Sequence, residues 1–291
     1  MRRLLVIAFF VAPLGVIGQP VIDALHAGEV LRAATTEQRA APLTELRRPH
    51  RVLRFGLDGP DLVLVHGAHR EGVDEPRFRA LAVALANEGF RVHVPELPAL
   101  SNLRLRASDL DVILETAPPD ASLFGISLGG GMVIRLAAEH PGRFRAVWTL
   151  GAHHDLAEVV DAHRSPGGHP YVRELFTSAL GPRFEEEGSA PFALRLARVS
   201  PRGSLGQITT PLFVLHGRAD ELVSPAQATA ICEEAPQCDV HLTNVLGHSD
   251  VAEASLRDRW QLARFVSRAL RALKRAPVAS ASASTARSQT P

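Results

Sequence analysis

This chain is short of lysine, of cysteine and of net charge. Lys274 is the only lysine among 32 basic residues, and 31 acidic residues leave a net charge of +1. So balanced a chain offers no basic field to recruit nucleic acid. The preference for arginine, alongside abundant alanine, reads as genome composition and not as function. Only two cysteines are present, Cys232 and Cys238. In an oxidising compartment they could close a short loop between a helix end and the next strand; otherwise they are two unlinked small core residues. Neither stands in a catalytic setting. No internal repeat is visible. What remains is ordinary: 291 residues, 46% hydrophobic and 22% charged, enough for one large α/β domain with a sizeable core.

The two ends differ from the middle. Met1, Arg2 and Arg3 precede an uncharged stretch from Leu4 to Ile22, most strongly apolar over Leu4–Phe10. A short basic segment followed by an apolar one has the shape of an export signal. Residues 1–27 are therefore expected to form a signal peptide or a retained membrane anchor, since about 17–25 apolar residues can span a bilayer. Pro13, Gln19 and Pro20 weaken a long anchor. Val16 and Gly18 are small enough for a cut after Gly18, although no Ala-x-Ala site stands out, and Arg2-Arg3 lacks the surroundings of a twin-arginine signal. Either reading puts the domain outside the cytoplasm, with residues 4–22 as the segment that would meet a membrane. A buried first helix of a cytosolic domain is the alternative. At the other end, 276–291 is rich in Ala, Ser, Thr and Pro and reads as a disordered tail.

Between the ends, short apolar runs read as strands at Arg51–Gly56, Leu62–His66, Phe90–Pro95, Ser122–Ile126, Arg145–Leu150, Pro211–His216 and Asp239–Thr243. Helical patterns lie at Pro76–Glu88, Leu105–Thr116, Leu128–His140 and Pro225–Glu234. A last one runs from Ala252 to about Lys274, with Leu256, Trp260, Leu262, Ala263, Val266 and Leu270 at helical spacing. Strands alternating with helices predict an α/β domain over 45–275: a mostly parallel central sheet flanked by helices. Ligands in such sheets bind at the carboxyl ends of the strands. The stretch from Leu150 to Pro211 has no clear strand but two helical segments. Its middle, about 156–205, is expected to be a helical lid insertion over the site, or else an excursion packed beside the sheet.

The residues just after the strands carry the chemistry. Gly125-Ile-Ser-Leu-Gly-Gly-Gly131 follows an apolar run and opens a helix. A serine on such a turn is lifted out at a strand end, and the flanking glycines remove Cβ atoms that would collide. Three glycines in one helical turn cost about 1 kcal/mol each relative to alanine, so close backbone packing is expected there. Without that context, the same run is a glycine-rich helix start capped by a serine. A serine hydroxyl needs a base. Eight histidines follow Ser127, so position must choose among them. His248, between the last strand and the last helix, is at the right edge; His216 is a lesser candidate, and His140 and His241 read as structural. The base in turn needs an acid, for which Asp220 is favoured over Asp155. The turn after Leu62–His66 could aim backbone N–H groups at an oxyanion, assigned to Ala68 and to Leu128. His66 and His69 as a His-x-x-His metal pair lack a third ligand at recognisable spacing.

Taken together, Leu-Val-His-Gly (64–67), Gly-Ile-Ser-Leu-Gly-Gly (125–130), Gly-Arg-Ala-Asp-Glu-Leu-Val (217–223) and Gly-His-Ser-Asp (247–250) resemble the successive signatures of the α/β-hydrolase superfamily, in its Ser…Asp…His order. The resemblance covers roughly residues 51–274. It implies Ser127 as nucleophile, His248 as base and Asp220 as acid, acting on a small-molecule acyl substrate with no metal or organic cofactor. The chain departs from the lipase-type glycine-rich oxyanion motif, because Ala68 and His69 follow His66-Gly67. The implied activity is hydrolysis of carboxylic esters or related acyl compounds. The alternatives are a non-catalytic binding protein on the same scaffold, or another cofactor-free chemistry of the triad, such as acyl transfer or haloperoxidation. Oligomeric state and acyl chain are not encoded in any motif.

Overall fold

In the computed structural model, the described residues are 26–33, 43–47, 49–101, 106, 108–164, 167–170, 173, 189–248, 250, 252 and 254–275. Of the leader expected over 1–27, residues 1–25 lie outside them, as does the tail at 276–291, while residues 26 and 27 begin a helix. Eight strands form one sheet: β1 (Thr44–Leu46), β2 (Val52–Phe55), β3 (Asp61–Val65), β4 (Arg91–Pro95), β5 (Ser122–Ile126), β6 (Val147–Leu150), β7 (Leu212–Gly217) and β8 (Cys238–Thr243). Their spatial order is β1-β2-β4-β3-β5-β6-β7-β8. The first two strands pair antiparallel, at one edge, and β4 through β8 run parallel. The sheet and its helices are those expected from the periodicities. The expectations had no counterpart for β1 or for the helices at 26–33, Pro98–Ser101 and Leu156–Arg164, and of the two helical segments expected between Leu150 and Pro211 the first, 171–180, lies outside the described residues but for Arg173.

The helices are α1 (26–33), α2 (Pro76–Asn87), α3 (Pro98–Ser101), α4 (Ser108–Thr116), α5 (Leu128–Glu139), α6 (Leu156–Arg164), α7 (Ser189–Val199), α8 (Pro225–Glu234) and α9 (Leu256–Lys274). Their starts are written locally. Glu75 accepts from the Phe78 N–H at 2.6 Å with Pro76 at the first turn, and Ser224 caps α8 in the same way, ahead of Pro225. A proline there loses no helical hydrogen bond and presets the backbone.

Alternation along the strands feeds two cores, one on each face. Val63, Val65, Leu123, Val147, Leu212 and Val214 join α4, α5, α7 and α8 in one. Leu62, Leu64, Phe124, Trp148 and Leu215 join α1, α2 and α9 in the other. Phe124 and Trp148 are register partners on β5 and β6, and their rings stack at 4.1 Å. The second core reaches before residue 45, because Ala27 and Val30 of α1 are buried in it. On α9 the apolar stripe divides: Leu262, Val266 and Leu270 are buried, whereas Leu256 is 75% and Trp260 44% exposed. Spacing correctly marks a helix here but not how far it overhangs the sheet. Among the described residues, no helix is long and apolar enough to cross a membrane.

The order reverses at β3: the chain steps outward from β3 to β4, then returns to place β5 on the other side of β3. The carboxyl ends of β3 and β5 therefore flank a crevice at the switch point, where ligands bind in open α/β sheets. Gly67 and Ala68 follow β3; Ser127 follows β5.

Candidate active site

Ser127 sits between β5 and α5 at φ 52°, ψ −119°, a conformation costly for any residue with a Cβ and tolerated where surrounding packing enforces it. That packing is visible. A Cβ on Gly125 would lie 2.5 Å from Gly129 O; one on Gly129 would strike the carbonyls of His66 and Val65; one on Gly130 would lie 2.7 Å from Ala152 Cβ; and one on Gly131 would enter the His153 ring. The first turn of α5 is thus pressed onto the ends of β3, β5 and β6, as the glycine run implied. The Ser127 N–H donates to Leu150 O at 2.8 Å and locks the turn to β6. Its hydroxyl makes no capping bond to α5, which removes the reading of Ser127 as a simple cap.

The hydroxyl instead reaches His248. Ser127 Oγ lies 3.1 Å from His248 Nε2, and His248 Nδ1 lies 2.7 Å from Asp220 Oδ2. Three side chains separated by 121 and 28 positions form one hydrogen-bonded line. Nδ1–H donates to the carboxylate, leaving Nε2 to accept the serine proton. His248 is largely covered and the Asp220 side chain wholly so. Burial by itself would raise the Asp220 pKa. The hydrogen bonds from His216 and His248, with the Val223 N–H, outweigh it and hold the carboxyl well below the usual range. Its other oxygen, Oδ1, accepts from the N–H groups of Leu222 at 3.0 Å and Val223 at 2.8 Å. Gly151, at φ 63°, ends β6 beside this pair, where a Cβ would lie 3.5 Å from both Asp220 Oδ2 and His248 Nδ1.

The remaining candidates fall elsewhere. Asp155 accepts from the Ala157 N–H at 2.8 Å and pairs with Arg202 at 2.6 Å; it starts α6 and is not the partner of His248. His216 does not reach the serine, but its Nε2 lies 3.2 Å from Asp220 Oδ2. His241 stacks on Phe265, and His140 ends α5. His66 is buried with Nδ1 2.7 Å from Gly67 O, and burial pushes its pKa down to about 4. His69 Nδ1 accepts the Glu71 N–H. Among the described residues, no three His, Cys, Asp or Glu side chains are grouped to hold a metal. Leu128 is the first residue of α5, so its N–H has no acceptor within the helix. Sequence reading missed the second imidazole on Asp220. It also missed the tie from α6 to the acid loop, where His163 Nε2 donates to Leu222 O at 2.8 Å.

No protein-family model matches the chain. It is 27% identical over 232 residues to the pimeloyl-[acyl-carrier protein] methyl ester esterase of Vibrio campbellii, covering 67% of this chain and 89% of the relative. The esterase of the same name from Vibrio cholerae is 26% identical over 247 residues, covering 72% and 95%. Among solved structures, an α/β hydrolase from the sediment metagenome of the Mar Chica lagoon, Morocco, superposes with a TM-score of 0.53 at 19% identity, over 71% of this chain and 90% of that one. With this sheet order and these relatives, the chain belongs to the α/β-hydrolase superfamily.

Proposed function

We propose that this protein is a serine hydrolase that cleaves carboxylic esters through an acyl-enzyme, with Ser127 as nucleophile, His248 as general base and Asp220 as the acid that orients it. The observation that carries the reading is the unbroken hydrogen-bonded line from Ser127 Oγ to Asp220 Oδ2. Ser127 attacks the ester carbonyl as His248 Nε2 takes its proton, and the imidazolium that forms is stabilised by the buried carboxylate. The N–H groups of Ala68 and Leu128 receive the oxyanion. His248 then protonates the leaving alcohol, and water, activated by the same imidazole, releases the acid. The relatives are methyl ester esterases by name, which makes methyl esters of acyl chains the first substrates to test. Replacing Ser127 with Ala should lower turnover of such esters by several orders of magnitude with the fold intact. A phosphonate probe should label the native peptide containing Ser127 and not the variant. Equal turnover by both proteins would remove the nucleophile assignment.

The bond from α6 to the loop bearing Asp220 supports a cover over the site by the first part of the 156–205 insertion, while α7 packs Phe192, Leu196 and Val199 into the core beside α5. Export of the domain is supported by the basic start ahead of Leu4–Ile22 and by the disulfide joining Cys232 to Cys238, of the kind kept in oxidising compartments.

A further inference from the structure

We propose that His216 is a positioning residue for the catalytic acid, a second imidazole that shares Asp220 Oδ2 with His248 and ties it to the loop at Val223. This inference rests on the esterase reading above. His216 ends β7 and, like the Asp220 side chain, is fully buried. Its Nε2 faces two acceptors, Val223 O at 2.8 Å and Asp220 Oδ2 at 3.2 Å. Its Nδ1 is buried with no hydrogen-bond partner. Two acceptors at Nε2 and none at Nδ1 assign the neutral Nε2–H tautomer, since a buried N–H without an acceptor is the costlier orphan. His216 Nε2–H therefore faces Val223 O and Asp220 Oδ2 as a donor. Asp220 then has two backbone N–H groups on Oδ1 and two imidazoles on Oδ2. A hydrogen bond from His216 draws charge from the oxygen that stabilises the His248 cation. Without that bond, more of the Asp220 charge faces His248 Nδ1. Other ionisable groups near the acid loop are His163, bonded to Leu222 O, and the exposed side chains of Arg218, Glu221 and Asp250. None of these has a hydrogen bond or ion pair to Asp220 among the described contacts.

The test compares His216→Phe, which removes the donor, with His216→Gln, which keeps an N–H near Nε2, and with His216→Asn, whose shorter amide does not reach Asp220. For His216→Phe and His216→Asn, the acid limb of kcat/KM should move up by about half to one pH unit, and kcat should fall about tenfold with KM little changed. His216→Gln should return the limb toward the native position. Histidine NMR titration of His248 reads the same midpoint without substrate, so a failed esterase assignment leaves this test intact. A His248 midpoint in both donor-less proteins within about 0.2 pH unit of the native one, or an equal shift in His216→Gln, would overturn the proposal. If the Phe variant does not fold, the Asn and Gln pair decides alone.

Discussion

Asp220 and Asp155 are both aspartates placed just after a strand, and only their surroundings separate them. Asp220 is sealed in and holds His248; Asp155 holds the start of α6 and Arg202. Asp220→Asn should therefore cut kcat by about 10³- to 10⁴-fold, because an amide favours the wrong imidazole tautomer. Asp155→Asn should leave kcat within a few-fold and cost only helix-cap and ion-pair stability, about 1 kcal/mol. Steady-state kinetics on the two variants checks both. Buried histidines set a second expectation. Burial lowers the pKa of His66 and of His153 to about 4, against about 6.5 when unfolded. Between those values the unfolded chain binds protons that the folded chain refuses, so stability falls as pH drops from about 6.5 to 4, by up to about 3 kcal/mol per histidine. Below that range Asp220, whose carboxyl stays ionised in the fold, adds loss in the same direction. Urea midpoints at several pH values check this, and His153→Leu should flatten the profile by roughly half.

At the scale of the element, the junction of β5 and α5 shows local propensity yielding to packing. Alanine in place of Gly130 would gain about 1 kcal/mol of helix propensity. Its Cβ would, however, lie 2.7 Å from Ala152 Cβ, and overpacking of this kind costs about 1–3 kcal/mol. Gly130→Ala should thus be net destabilising, seen as a lower urea midpoint. Gly129→Ala should do more. Its Cβ meets the backbone carbonyls of His66 and Val65, so relief requires moving the elbow away from β3. Lower kcat is expected even in the fraction that folds. The glycines were legible in the sequence as a demand for close approach. The partners they approach were not, since Ala152 and His153 belong to a strand end that only the sheet order brings alongside.

For the molecule as a whole, the disulfide joins the end of α8 to the start of β8, six residues apart with Cα atoms 5.2 Å from one another. Closing so short a loop restricts the unfolded chain by about 2 kcal/mol. Reduction should lower Tm by roughly 4–8 °C for a domain of this size while sparing the serine line, which lies at the opposite end of β8. Thermal melts with and without reductant check the first part, and phosphonate labelling of the reduced protein the second. Sequencing the mature N-terminus after cell fractionation tests export. A start at Met1 in a cytosolic protein would end that proposal.

Strand and helix periods, strand-end glycines and turn residues are local quantities, and they carried the α/β class and most of the elements. They could do so because an apolar stripe has to face a core, whichever neighbour supplies it. Which loops meet is a different matter. It depends on the order β4-β3-β5-β6-β7-β8 and on side-chain directions at strand ends, where no period operates. The tertiary arrangement alone separates Asp220 from Asp155, turns His216 from a candidate base into a donor to the acid, and leaves Leu256 and Trp260 outside a core that their spacing suggested they would join. Contact between distant side chains is set by packing in three dimensions, and one strand's pattern holds no information about another strand's place.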